Sequence, residues 1–192
     1  GLISILHPWE SGYDNSPLWD KSMSKIEIDM IKKYLDKSYV MLEYGCGGST
    51  LFFSHHVKEY YSVEHNQQWY NKIAPLVPKN VHITHIAQNH DTPNQKRILA
   101  SDWKSLDTSS RSIDFKDYIE YPKSLCVKFD TVLIDGRARP ECAKFIVPHL
   151  KENATVFIHD YCERIPYHVV ETHYQVVDSI RSGQTLAVLK LK

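Results

Sequence analysis

Side chains able to bind a ligand or transfer a proton follow five short apolar segments of this chain. They are Glu43, Glu64, Gln88, Asp135 and the pair formed by His159 and Asp160. Histidine is a natural general base near neutral pH, and carboxylates accept hydrogen bonds from hydroxyl groups or bind cations. If the apolar segments are parallel strands of one sheet, these side chains meet at the edge where open α/β sheets bind ligands. The pattern therefore predicts one site built from several strand ends.

A glycine-rich turn follows the first of these segments, in the sequence Glu43-Tyr44-Gly45-Cys46-Gly47-Gly48-Ser49-Thr50. Gly45 and Gly47 allow a tight turn and a close approach of the backbone to a ligand. Glu64 follows Gly45 by about 20 residues, the spacing at which Rossmann-like folds place an acid on ribose hydroxyls. The dinucleotide fingerprint needs a glycine at position 50, where this chain has threonine. The turn therefore predicts a nucleotide-type cradle of a different kind.

These motifs resemble those of the class I S-adenosylmethionine-dependent methyltransferases, which have an E/D-x-G-x-G loop and a second strand ending in an acid. The resemblance covers roughly residues 27–192. It implies an α/β, Rossmann-like fold: a seven-stranded, mostly parallel sheet with an antiparallel C-terminal hairpin and helices on both faces. It also implies S-adenosylmethionine as the cofactor. The residues expected to bind this cofactor are Glu43, Gly45, Gly47, Ser49, Thr50, Glu64, His65, Gln88 and Asp135.

Methyl transfer to a hydroxyl group needs an acceptor held close to the methyl group and a means of removing its proton. His159 and Asp135 are the predicted catalytic residues, with His159 as base and Asp135 either as that base in its place or as the group that orients His159. Asp135 and Asp160 also resemble the metal site of catechol-type and macrolide-sugar O-methyltransferases. That resemblance implies a divalent metal, Mg or Mn, although the further Asp or Asn usual in such sites is not evident here.

The first 22 residues are predicted to form an N-terminal arm, followed by the methyltransferase domain over residues 23–192. Residues 7–20 resemble a segment of trehalase-like and glucosidase-like glycoside hydrolases, but nothing after Asp20 resembles the large helical barrel of those enzymes. Tryptophan faces stack on sugars, and carboxylates bond sugar hydroxyls. The predicted acceptor-binding residues are Trp9, Glu10, Asp14, Trp19, Arg137 and Arg164. The alternative is an arm that only packs its tryptophans against the domain.

Hydrophobic alternation and turn residues predict strands at 39–43, 60–64, 81–86, 129–134 and 154–158, and a hairpin of 174–180 and 185–191. Helices are predicted at 50–56, 67–74 and 140–150. A capping box at Ser24 and Glu27 predicts a first helix, whose apolar face is Ile26, Met30, Ile31, Tyr34 and Leu35. Residues 88–127 are predicted to be a long polar insertion, with a helix near 94–106.

The composition is that of a soluble globular domain, with 42% hydrophobic residues and equal numbers, 23 each, of basic and acidic residues. Nucleic-acid-binding domains usually carry a basic excess, so we expect no nucleic-acid partner. Four cysteines without metal-binding spacing and the lack of a long apolar run predict a cytoplasmic protein with no membrane span. Because the chain begins with Gly1, we expect a piece of a longer multidomain chain, whose neighbouring domains would be glycosyltransferases.

The predicted function is O-methyl transfer from S-adenosylmethionine to a sugar hydroxyl of a glycan, for example a terminal deoxyhexose such as rhamnose. The carbohydrate acceptor is a hypothesis drawn from the arm and from the resemblance to glycan-modifying methyltransferases. Three alternatives stay open. They are a catechol-like or protein side-chain methyltransferase, a nicotinamide-dependent oxidoreductase, which Thr50 disfavours, and a non-catalytic module that keeps the fold and the cofactor.

Overall fold

A seven-stranded mixed sheet organises the protein, of which the computed structural model describes residues 23–89 and 114–192. The strands are β1 Val40–Tyr44, β2 Glu59–Glu64, β3 Val81–His85, β4 Phe129–Ile134, β5 Leu150–His159, β6 Tyr174–Ile180 and β7 Leu186–Leu191. Their order across the sheet is β3-β2-β1-β4-β5-β7-β6. Strands β1 to β5 are parallel, and β7 runs antiparallel to both β5 and β6. The predicted fold class is confirmed.

The described α-helices are α1 Lys25–Lys32, α2 Gly48–Phe53, α3 Gln67–Ile73, α4 Lys116–Ile119 and α5 Arg139–Phe145. Short 3-10 helices occupy Ser54–His56, Ala74–Leu76, Tyr121–Ser124, Val147–His149 and Ile165–Thr172. Within the described residues, no helix combines the length and the apolar character that crossing a membrane requires.

Two apolar cores lie on opposite faces of the sheet. Along β4, Val132 and Ile134 belong to the core covered by α4 and α5, whereas Leu133 belongs to the core covered by α1 and α2. Successive side chains of a strand point to opposite faces. Central parallel strands buried on both faces are therefore continuously apolar. This is why the sequence of β4 has no polar alternation and why helices are needed on both sides.

Helix α1 begins at the predicted capping box, but its buried face differs from the prediction. Ile26 is 66% exposed, whereas Glu27, Ile28 and Ile31 are buried. The helix is therefore rotated so that positions 27, 28 and 31 face the sheet. A hydrophobicity pattern assigns a carboxylate to the solvent side, and here Glu27 points inward because it has a buried cationic partner on β5.

The predicted polar insertion is wrong for its last part. Phe115, Tyr118, Ile119 and Tyr121 are buried, and they complete the core over β1 and β4. The hydroxyl of Tyr44 donates a hydrogen bond of 2.8 Å to the carbonyl of Ile119, which ties this segment to the sheet. The helix predicted near residues 94–106 and the arm of residues 1–22 lie outside the described residues.

Candidate cofactor and active site

A cavity of about 500 Å³ opens at the carboxyl ends of β1, β2, β4 and β5, within the roughly 300–1,000 Å³ typical of small-molecule sites. Its described wall consists of Gly45, Cys46, Glu64, His65, Asn66, Gln68, Trp69, Lys72, Asp135, Gly136, Arg137, Arg139, His159 and Asp160. Strands β1 and β4 are neighbours, and the strand order reverses between them. Open α/β sheets bind ligands at this reversal point.

The turn after β1 packs directly on the turn after β4. Gly45 has a φ of +93°, and a Cβ atom there would lie 2.8 Å from the carbonyl oxygen of Asp135. The amide of Gly45 donates to the carbonyl of Val63 at 2.9 Å, which also joins the turn to β2. Only glycine combines this conformation with this close approach. The glycine therefore brings the first turn against the residue that follows β4.

Glu64 fastens the same turn from the end of β2. Its carboxylate accepts hydrogen bonds from the backbone amides of Cys46, at 3.0 Å, and Asn66, at 2.9 Å. Burial alone raises the pKa of Glu64, but hydrogen bonds from His65 and from these amides lower it below its usual value. A carboxylate has about four acceptor positions. Glu64 therefore lines the cavity as an anion that can still accept hydrogen bonds.

Glu43 lies behind the turn rather than on the cavity wall. It is fully buried, and its carboxylate accepts hydrogen bonds from the hydroxyl groups of Ser49, Thr50 and Ser62. Burial raises the pKa of Glu43 to about 7, against the lowering effect of these hydroxyl groups. Thr50 also accepts the amide hydrogen of Gly47 at 3.0 Å. The residue that breaks the dinucleotide fingerprint thus braces the glycine turn.

His159 lies between three carboxylates and is only 2% exposed. Its Nε2 is 2.9 Å from Oε1 of Glu27, and its Nδ1 is 3.0 Å from Oδ1 of Asp135 and 3.4 Å from Oδ2 of Asp160. These contacts lack the alignment of hydrogen bonds and act as ion pairs. Burial alone lowers the pKa of His159, but the three carboxylates raise it to about 12. His159 is therefore a cation at neutral pH.

This charge state argues against His159 as the predicted base, because a protonated imidazole has no lone pair to accept a proton. Asp135, whose side chain is 14% exposed, lines the cavity in front of it. Within the described residues, the contacts of Asp135 to charged groups all involve Oδ1. The geometry thus leaves Oδ2 of Asp135 as the better-placed proton acceptor.

Glu27 is a site residue that sequence reasoning missed. The capping box assigns Glu27 only the role of capping the start of α1, and no sequence pattern links residue 27 to residue 159. In the structure Glu27 caps the helix and also contacts His159. Its Oε2 accepts hydrogen bonds from the amide and the hydroxyl of Ser24, and its Oε1 faces His159.

Arg139 occupies the place where a metal was predicted. Its guanidinium lies 3.3 Å from Oδ2 of Asp160 and 3.5 Å from Oδ1 of Asp135, and it donates to the carbonyl of His159 at 2.7 Å. Asp160 has a left-handed backbone, with a φ of +56°. Burial alone raises the pKa of Asp160, but His159, Arg139 and Arg164 lower it to about 2. No metal-binding group of three His, Cys, Asp or Glu side chains occurs in the described part of the chain. These residues do not fit a divalent metal.

Arg137 is a cation on the cavity wall that lacks such a partner among the described residues. No carboxylate lies within 4.0 Å of its guanidinium among the described residues, and burial together with Arg139 lowers its pKa. Arg164, in contrast, lies behind the wall, 3.3 Å from Oδ2 of Asp160 and 2.9 Å from the hydroxyl of Tyr167. Arg137 can therefore receive an anionic group of a ligand, whereas Arg164 supports Asp160.

The predicted site residues fall into three groups. Those on the cavity wall are Gly45, Glu64, His65, Asp135, Arg137, His159 and Asp160. Those that are described but stand off the wall are Glu43, Gly47, Ser49, Thr50, Gln88 and Arg164. Those outside the described residues are Trp9, Glu10, Asp14 and Trp19. Trp69 joins the wall through α3 and donates its indole N–H to the carbonyl of Cys46.

No family model matches the chain. Solved structures do resemble it over most of its length. A methyltransferase-like protein from Silicibacter pomeroyi aligns with a TM-score of 0.62 and 21% identity, over 90% of this chain and 88% of that one. A TehB-like SAM-dependent methyltransferase from Corynebacterium glutamicum has a TM-score of 0.55 and 12% identity, over 100% and 98%. A Streptococcus mutans protein solved in complex with SAH has a TM-score of 0.50 and 15% identity, over 88% and 99%.

Curated proteins match only a short part of the chain. Mannosylglycerate hydrolase of Thermus thermophilus is 53% identical over 34 residues, which are 18% of this chain and 8% of that enzyme. Mannosylglycerate hydrolase MGH1 of Selaginella moellendorffii is 49% identical over 35 residues, 18% of this chain and 7% of that enzyme. These matches are too short to assign the chain to the hydrolases. By sheet order and by likeness to solved structures, the chain has the class I, Rossmann-like fold of the SAM-dependent methyltransferases.

Proposed function

We propose that this chain is an S-adenosylmethionine-dependent O-methyltransferase whose acceptor is a sugar hydroxyl of a glycan. The observation that carries the proposal is the cavity at the β1/β4 reversal. A glycine turn, an anionic Glu64 and a cavity-facing Asp135 line this one space. They come from three different strands, so the sheet order is what brings them together.

The residues present fit the proposed cofactor. Glu64 would accept hydrogen bonds from its ribose hydroxyls, because two amides hold that carboxylate charged and in place. The backbone at Gly45 would approach its amino-acid part, and the rings of His65 and Trp69 supply flat surfaces on the same wall for its base. When bound, this cofactor supplies a methyl group activated by a positively charged sulfur.

Asp135 would take the proton of the acceptor hydroxyl in this proposal. Its Oδ1 is held by His159 and Arg139, which fixes the carboxylate at the wall. A catalytic base needs this fixed position because it must lie within hydrogen-bond distance of the acceptor hydroxyl.

The sugar acceptor rests on two supports. The first is the resemblance of residues 7–20 to glycoside hydrolases, together with the short match to hydrolases named for mannosylglycerate. The second is that the arm offers Trp9, Glu10, Asp14 and Trp19, residue types suited to sugar rings and hydroxyls. Arg137 would receive an anionic group, either on the acceptor or on the cofactor. A terminal deoxyhexose such as rhamnose remains our first choice of acceptor.

Calorimetric titration with S-adenosylhomocysteine, with and without magnesium, tests the cofactor. We expect one-to-one binding that magnesium leaves unchanged, because Arg139 lies between the two aspartates. A strong magnesium dependence would contradict the metal-free site, and an absence of binding in both conditions would overturn the proposed function. A glycan screen then tests the acceptor. There Asp135→Asn should lose at least tenfold in kcat while it retains S-adenosylhomocysteine affinity within about threefold.

A further inference from the structure

A buried row of side chains leads from helix α1 to the cavity: Glu27, then His159, then Asp135. Glu27 is 0% exposed and His159 is 2% exposed, so solvent does not screen the contact between them. We propose that Glu27 is a positioning residue that fixes His159 and, through it, the carboxylate of Asp135 at the cavity wall. The part of this inference that concerns Asp135 rests on the proposed function.

The two oxygens of Glu27 have different partners. Oε2 accepts from the amide of Ser24 at 2.7 Å and from its hydroxyl at 2.9 Å, which fixes the side chain to the start of α1. Oε1 is left to face Nε2 of His159 at 2.9 Å. Because Ser24 anchors one oxygen of this carboxylate, the other oxygen stays in place and can hold the imidazole ring.

Both ring nitrogens of His159 face carboxylates, and this decides its protonation state. A neutral imidazole carries a proton on one nitrogen only, whereas the imidazolium turns a positively charged N–H toward the carboxylate on each side. With Glu27 at Nε2 and Asp135 at Nδ1, only the imidazolium suits both neighbours. The charge of Glu27 thus favours the form of His159 that also holds Asp135.

The charged groups around His159 come from α1, the ends of β4 and β5, α5 and the segment after Asp160, and they balance one another. Three carboxylates face it, from α1 (Glu27), from the end of β4 (Asp135) and from the end of β5 (Asp160). The three cations are the imidazolium itself, Arg139 on α5, and Arg164. Both arginines contact Asp160. Removing the charge of Glu27 leaves three cations with two carboxylates. That imbalance favours loss of the proton from His159, the most readily deprotonated of the three.

Glu27→Gln tests the inference in the unliganded protein, with nitrogen NMR of the His159 ring at pH 8. We expect the wild type to show two ring N–H signals, those of an imidazolium shielded from solvent. We expect Glu27→Gln to lower the pKa of His159 from about 12 to below 8, so that the Nε2–H signal is lost at this pH. Ser24→Ala is the matched control: it removes the hydroxyl that braces Glu27 but not the carboxylate, so both N–H signals should remain.

Two outcomes would overturn the inference. One is a wild-type His159 that is neutral at pH 8, a result that needs no variant and so decides the matter even if Glu27→Gln does not fold. The other is a folded Glu27→Gln protein whose His159 signals match those of the wild type, which would leave Glu27 as a helix cap only. Neither result depends on methyl transfer.

The link to Asp135 has its own readout. Glu27 does not line the cavity, so Glu27→Gln should leave S-adenosylhomocysteine affinity within about threefold of wild type, while kcat with an acceptor found in the screen falls at least tenfold. An unchanged kcat would overturn the link to Asp135. If the wild type neither binds S-adenosylhomocysteine nor turns over, the proposed function has failed, and the NMR result still decides the role of Glu27.

Discussion

Glu64 shows how one side chain joins the fold to the proposed chemistry. Its carboxylate holds the amides of Cys46 and Asn66 and also lines the cavity. Glu64→Gln keeps the size but not the charge, and one of its ends is a donor that cannot accept an amide hydrogen. We expect S-adenosylhomocysteine binding to weaken by roughly 1–3 kcal/mol, the typical cost of leaving a hydrogen-bonding partner unpaired.

The matched control for this prediction is Glu59→Gln. Glu59 lies at the opposite end of the same strand, where its half-exposed carboxylate pairs with His82 far from the cavity wall. Calorimetry should give wild-type affinity for this variant. Equal affinities for Glu64→Gln and the wild type would show that Glu64 serves the turn and not the ligand.

The sequence predicted site residues only where they follow the end of a recognisable strand. Glu64 and Asp135 were recognised because each follows an apolar segment, and both lie on the cavity wall. Glu43 follows the same rule but is buried behind the turn, where its carboxylate accepts hydrogen bonds from Ser49, Thr50 and Ser62. Glu27 could not be found, since its partner is 132 positions away and no local pattern encodes that contact.

Among elements, the turn after β1 makes the most demanding contact of the site. Gly45 combines a φ of +93° with a position where a Cβ would meet the carbonyl of Asp135 at 2.8 Å. Gly45→Ala must therefore move one turn away from the other. We expect a loss of roughly 1–3 kcal/mol in the free energy of unfolding, measured by urea denaturation, with weaker S-adenosylhomocysteine binding.

Gly183→Ala separates the two causes of that loss. Gly183, in the turn between β6 and β7, has a φ of +71°, but a Cβ there meets nothing within 4 Å. It should therefore lose only the smaller amount due to backbone conformation, and its ligand affinity should not change. If both variants lose the same stability, the packing of the first turn against Asp135 is not what requires glycine.

Strands were easier to predict than helices for a physical reason. Central parallel strands are apolar on both faces, so β1 and the second halves of β4 and β5 stand out as short apolar runs. Helix α4 has four residues, too few to show a helical period. The aromatic rings around it are buried by the sheet, a long-range contact that a local pattern does not contain.

At the scale of the whole molecule, one sheet order accounts for the site. The reversal between β1 and β4 places the turns after these strands side by side, and β2 and β5 bring Glu64 and His159 to either side. Alternating strands and helices predicted an α/β sheet, and the class I methyltransferase order was implied by the resemblance of the glycine turn and Glu64 to that family. The acceptor could not, because one fold hosts many functions, and acceptor choice depends on segments added to the sheet.

The buried charge cluster also predicts how the stability of the whole protein depends on pH. The pKa of His159 is raised from 6.5 to about 12 in the folded protein. A raised pKa means that the folded state retains a proton that the unfolded state loses, so this contribution is full below about pH 6.5 and is lost as pH rises toward 12. Between pH 7 and 8 the free energy of unfolding should fall by up to about 1.4 kcal/mol per pH unit.

That window separates His159 from other titrating groups. Burial raises the pKa of Glu43 to about 7, so Glu43 lowers the stability mainly at pH values below this window. Burial also raises the pKa of the Cys46 thiol, and its effect on stability begins nearer pH 9. Urea denaturation at fixed ionic strength across pH 7–8 measures the slope. Glu27→Gln should flatten it, whereas His173→Gln, at an exposed position, should keep it. A wild-type stability that does not change over this range would mean that His159 is not held as a cation, and the row from Glu27 to Asp135 would then need another explanation.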